Sequence, residues 1–153
     1  MPTKTVTRRA ATGQDLVVAL LTVGRWLRAR LPKGRIDPAM IFVLYQVQAG
    51  ESLRVSALAE ALGLDISTAS RHVRQLEAGG YVVRTGDPDD RRALRVRLTR
   101  RGRAALDQAM RARADVVDRA TADWPDEDPA TLTILMTRLA DSLERLAADP
   151  ETR

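Results

Sequence analysis

The chain has 153 residues, with 25 Lys and Arg against 20 Asp and Glu for a net charge of +5, 44% hydrophobic residues and no cysteine. That size fits one compact domain or one subunit of an oligomer, and the lack of cysteine excludes disulfides, thiolate metal sites and cysteine-based redox sensing. Apolar runs such as Val17–Leu21 and Met40–Tyr45 are too short to cross a bilayer, and residues 1–13 lack a signal peptide's apolar core, so a cytoplasmic protein with no membrane partner is expected.

Leu16, Leu20, Val23, Leu27 and Leu31 recur at steps of three and four, which predicts a helix over 15–31, stopped by Pro32 and Gly34. Asp37 reads as the N-cap of a second helix, with Pro38 at its first position, Gly50 at its end, and Ile41, Val43, Leu44 and Val47 deeply buried. A third helix of about two turns starts near Ser56 and directs Leu58, Ala59 and Leu62 inward before Gly63 turns the chain. Asp65 then reads as the N-cap of a fourth helix, its carboxylate accepting from the N–H of Ser67 or Thr68. Ile66, Ala69, Val73 and Leu76 form its expected buried face.

Gly79-Gly80 ends that helix, and Tyr81–Thr85 is a β-type run. A tight loop, Gly86–Asp90, leads through Arg91-Arg92 into the strictly alternating Leu94–Leu98, so a two-stranded hairpin with a charged tip is expected. Thr99 caps a long helix to about Ala122, which Trp124-Pro125 breaks. The final helix opens at Asp128-Pro129, with the acids of Asp123–Asp128 favourable at its N-terminus. Its Leu132, Leu135, Met136, Leu139, Leu143 and Leu146 form a near-heptad stripe that wants a partner. The expected organisation is a disordered arm over 1–12, N-terminal helices over 13–49, a lobe over 50–99, C-terminal helices over 100–147 and a tail over 148–153.

The charge is unevenly placed. Residues 1–65 are net +4 and 104–153 net −5, whereas 66–103 hold ten Arg against four acids for a net +6. Only Lys4 and Lys33 are lysines, so nearly every base carries the planar fork that binds phosphate and guanine in bidentate fashion. A GC-rich genome accounts for Arg over Lys, but not for ten of them within 38 positions.

Two short helices joined by Gly63-Leu64, the second apolar inside and bearing hydroxyls and Arg outside, suit a helix-turn-helix whose recognition helix enters the major groove. Ser67, Thr68 and Ser70 are small enough to let that helix approach DNA. Arg71 and Arg74 reach guanine or flanking phosphate, and Gln75 shares their face. Taken alone, the same helix is also an ordinary solvated amphipathic one. In the hairpin that follows, Arg91, oriented by Asp89 or Asp90, can enter the narrow minor groove, with Arg92 and Arg95 beside it.

The run Val55–Asp65, then Ser67–Arg71, Leu76–Arg84, and Asp87–Arg92 through Leu98-Thr99 and Gly102, resembles the MarR family of winged-helix transcription regulators. The resemblance is close over about 55–102. It implies a mainly α fold with a small β-hairpin wing and a helical dimerisation region built from the N- and C-terminal helices of two chains. It implies a homodimeric repressor on a pseudo-palindromic double-stranded DNA operator. Two-fold symmetry would set the recognition helices about 34 Å apart.

Many members of such a family are released by small aromatic or phenolic molecules. Trp26, Phe42 and Tyr45 with Arg25 and Arg28 are where such an effector would find an aromatic wall and a cation, although each is equally at home in a core or on a solvated face. His72, the sole histidine, lies beside the polar face of the recognition helix and suits a phosphate or water contact better than metal ligation, so no metal or cofactor is expected. An enzyme is not expected either: one His, no Cys, no phosphate-cradling Gly loop and no Ser with an adjacent base leave nothing to assemble. The alternative is a winged-helix protein-interaction module without specific DNA binding, which the surplus of Arg over 66–103 argues against.

Overall fold

The computed structural model describes residues 12–30, 36–88, 90 and 93–148. The expected arm and tail, the Pro32-Gly34 stop, and Asp89, Arg91 and Arg92 lie outside the described residues, as does the side chain of Arg28. The chain divides into two units, Met1–Ala114 and Asp115–Arg153, taken separately below.

In the first unit, α1 (Gly13–Arg30) starts at a reciprocal cap. Thr12 Oγ1 accepts from the Asp15 N–H at 3.3 Å, and the Asp15 carboxylate accepts from the Thr12 N–H at 2.9 Å. Asp37 caps α2 (Pro38–Ala49), accepting from the Ala39 N–H at 2.8 Å, with Pro38 in the first turn where its missing N–H costs nothing. A two-residue strand, β1 (Leu53–Arg54), precedes α3 (Val55–Ala61); the chain then turns at Gly63, whose φ of 62° favours a residue without Cβ, into α4 (Ile66–Ala78).

Strands β2 (Val82–Gly86) and β3 (Leu94–Leu98) pair antiparallel, with Val82 opposite Leu98 and Thr85 opposite Arg95. The expected hairpin of β2 and β3 is present, and Leu53 and Arg54 add a third strand by pairing with Val96 and Arg95, in the order β1-β3-β2. Three strands suit an apolar inner face better than two, which are marginal alone.

The core gathers Leu44 and Val47 of α2, Leu58 of α3, Val73 and Leu76 of α4, Val82, Val96 and Leu98 of the sheet, and Leu106 of α5 (Arg100–Ala120). The expected deep burial of Ile41, Val43, Leu44 and Val47 holds. Ile66 departs from expectation: it is 59% exposed, because it occupies the first helical position, where no preceding turn packs it down. Only Ala69, Val73 and Leu76 form the inner face of α4.

Thr99 joins sheet to helix. Its N–H donates to the Tyr81 carbonyl at 3.0 Å, its hydroxyl donates to the Gly80 carbonyl at 2.7 Å, and the same oxygen accepts from the Gly102 N–H at 3.0 Å as the cap of α5. Helix α5 carries the chain into the second unit, where α6 (Glu127–Ala148) begins with Glu127 and Asp128 in its first turn, as the acidic-cap reading expects. Leu132, Ile134, Leu135, Met136, Leu143 and Leu146 are exposed along α6.

Candidate nucleic-acid interface

With Ala69, Val73 and Leu76 locked inward, the period of 3.6 directs Ser67, Ser70, Arg71, Arg74 and Gln75 away from the core, and Thr68 to the margin of that outer face. Ser67, Arg71, Arg74 and Gln75 are exposed, and Thr68 and Ser70 half-buried. Arg71 and Arg74 stand one turn apart, as the sequence predicts.

The two hydroxyls at the helix start do more than leave room for DNA. Both donate to Asp65, Ser67 through its Oγ and Thr68 through its Oγ1 at 2.7 Å, while the Thr68 N–H donates to the same carboxylate at 2.8 Å. The Ser67 hydroxyl first, then Thr68, hold the Asp65 carboxyl well below the usual carboxylate range. The hydroxyl hydrogens are therefore committed to the cap, and Ser67 and Thr68 offer outward only their acceptor lone pairs. Donor chemistry on this face rests with Arg71, Arg74, Gln75 and Ser70.

At the other end of α4, Glu77 meets Arg84 of β2 at 2.5 Å, which holds the Glu77 carboxyl below its ordinary value and raises the Arg84 guanidinium. Both side chains are about one third exposed, so the pair fixes geometry more than it stabilises. It ties the recognition helix to the hairpin that follows.

Arg95, a candidate contact in the sequence, is engaged within the sheet. Its Nε donates to Asp87 Oδ2 at 2.8 Å, and its Nη1 to the Ser52 carbonyl at 3.3 Å. Arg54 Nε donates to the same Asp87 oxygen at 2.6 Å, and the Asp87 side chain is wholly buried. Neither Arg54 nor the interior place of Asp87 was visible to pattern reading. Strict alternation over Leu94–Leu98 gives the outward direction of Arg95, but a two-residue β1 carries no period. Asp89, Arg91 and Arg92 lie outside the described residues.

His72 is half-buried, and its Nδ1 is buried without a hydrogen-bond partner. Trp26, Phe42 and Tyr45 are half or more exposed, with the Arg25 guanidinium 4.8 Å over the Trp26 ring. In the second unit, a shallow groove of about 310 Å³ lies at the turn before α6, against Trp124, Pro125 and Leu132. Among the described residues no helix is long and apolar enough to cross a membrane.

A core-packed helix-turn-helix followed by a paired hairpin, with an outward cationic face on its second helix, defines a winged helix-turn-helix protein. Residues 36–94 match the model of the MarR family. The chain is 28% identical over 106 residues to the HTH-type transcriptional regulator YxaD of Bacillus subtilis, a match covering 69% of this chain and 74% of that one. It is 25% identical over 114 residues to the HTH-type transcriptional repressor MdtR of the same organism, covering 74% of each. Its fold is similar to that of a mutant MarR from E. coli complexed with operator DNA, with a TM-score of 0.64 at 24% identity over 83% of this chain and 91% of that one. Over residues 36–94 the chain is thus similar to the MarR family, and the two Bacillus relatives are transcription regulators.

Proposed function

We propose that this protein is a sequence-specific, double-stranded-DNA-binding repressor that acts in the cytoplasm as a homodimer on a pseudo-palindromic operator. The observation that carries this reading is the outer face of α4: three inner residues hold the helix, and Arg71, Arg74 and Gln75 face solvent together in the most basic stretch of the chain. The likeness to a repressor and to a fold seen with operator DNA supports it. Ser67, Thr68 and Ser70 approach the groove floor, and the wing residues Asp89, Arg91 and Arg92 serve the adjacent minor groove.

Dimerisation is supported by the exposed apolar side chains of α1, among them Leu16, Val17, Leu20 and Leu21, and by those of α6. Such rows are costly in water and are covered in stable oligomers. A small aromatic or phenolic effector would rest on Trp26, Phe42 and Tyr45, with Arg25 and Arg28 as cations. The exposure of the three rings means that a second surface must close over it.

The test is selection of bound duplexes from a random pool, then titration of the selected and a random duplex at two salt concentrations. Tight, salt-dependent binding with a preference of roughly a thousandfold or more is expected. A folded protein that ignores both duplexes in dilute buffer overturns the reading in favour of a protein-interaction module.

A further inference from the structure

Arg54 and Arg95 are direct partners across β1 and β3. Like charges directly opposite in an antiparallel pair repel, and the fold offsets this with one buried carboxylate: Asp87 Oδ2 accepts from both Nε atoms, at 2.6 and 2.8 Å. The burial is graded. The Asp87 side chain has no exposure, whereas those of Arg54 and Arg95 are 40% and 32% exposed. The carboxylate thus lies beneath, and the guanidiniums lie above it at the surface of the sheet. Two cations and one anion leave the three groups net positive. Arg97, exposed and two residues along β3, shares the face of Arg95.

This is how an anion site is preorganised: the carboxylate spends its attraction on the inner edges of two guanidiniums and sets their planes before any ligand arrives. Arg54 also immediately precedes α3, the first helix of the helix-turn-helix, and in that docking mode the first helix crosses the DNA backbone. We propose that Arg54 and Arg95, oriented by Asp87, form a clamp for a backbone phosphate of bound DNA, with Arg54 a contact additional to the recognition helix and wing. The proposal rests on the DNA-binding reading above.

A phosphate contact has a signature that a structural ion pair lacks. Binding of wild type, Arg54→Gln and Arg54→Lys to the selected duplex and to a random duplex is to be followed by fluorescence anisotropy over a range of salt. Arg54→Gln leaves Asp87 paired with Arg95 and should fold, as circular dichroism will check. It should weaken both duplexes alike, by roughly three- to tenfold, and reduce the slope of log affinity against log salt by about 1. Arg54→Lys should keep the wild-type slope. Arg95→Gln should act in the same direction as Arg54→Gln wherever it folds. A folded Arg54→Gln protein with wild-type affinity and slope overturns the clamp while leaving DNA binding intact. Wild-type protein that binds neither duplex overturns the DNA-binding reading, and the clamp with it.

Discussion

Thr68 gives both its backbone N–H and its hydroxyl to the carboxylate of Asp65, at 2.8 and 2.7 Å. The start of the recognition helix and two of its candidate DNA contacts therefore depend on one side chain. Asp65→Ala should lower the thermal midpoint by a few degrees through loss of the cap. It should also free the Ser67 and Thr68 hydroxyls to donate. The expected result is a folded protein whose selected duplexes differ from the wild type's at the positions facing the helix start; an unchanged selection profile would exclude these hydroxyls from base readout.

Acid should unfold the lobe through two carboxylates with known partners. Ser67 and Thr68 depress Asp65, and Arg84 depresses Glu77, so both stay charged more readily folded than unfolded. Their contribution is complete above their ordinary values of 3.8 and 4.5 and is lost as pH falls through their lower folded values. Urea midpoints measured between about pH 6 and pH 2 should fall steeply at the acid end. Asp65→Asn should flatten that fall, and an identical pH profile would show that the cap is not linked to protons.

Arg71 and Arg74 separate by their selectivity. Replacing a guanine reader by Ala should cost about 1–3 kcal/mol on the selected duplex and little on random DNA. Equal losses on both duplexes identify a phosphate contact. Titration of both single variants against both duplexes decides each residue independently.

Gly102 admits no side chain. A Cβ there would lie 2.0 Å from the Tyr81 carbonyl oxygen and 2.9 Å from its carbon, backbone atoms that Thr99 also fixes. Gly102→Ala should therefore destabilise by about 3 kcal/mol or more, whereas a typical exposed helical Gly→Ala change stabilises by up to about 1 kcal/mol. Thermal melts of the two kinds of variant compare them directly.

The apolar row on α6 makes its own prediction. Leu132→Arg and Leu143→Arg replace exposed leucines of α6 that are not members of the lobe core, so each lobe should stay folded. Light scattering should show a monomer in place of a dimer, with operator affinity lost in parallel. A variant that remains dimeric places the dimer contact elsewhere.

Much of this architecture is readable from the residues. Asp37-Pro38 and Asp65 cap the helices they were expected to cap, because capping is local chemistry with a fixed spacing. The strands of the hairpin follow from alternation. Three features escaped for physical reasons. Strand β1 has two residues and no period to detect. Met40–Tyr45 is apolar throughout, so the burial of Ile41, Val43 and Leu44 is expected, but no polar break marks Phe42 among them as 66% exposed. Asp87 lies in a loop rich in acids, and its burial depends on Arg54, 33 residues earlier in the chain. A pattern read along the chain sees alternation and caps, but not which of several equivalent acids meets a distant base.

The commitment of the Ser67 and Thr68 hydroxyl hydrogens to Asp65 separates two jobs along one helix. Its first turn is bound up with its own integrity, whereas Arg71, Arg74 and Gln75 take no part in holding it. Retargeting to new promoters should accordingly be easiest by exchanging those three positions, with the cap left intact as a chassis.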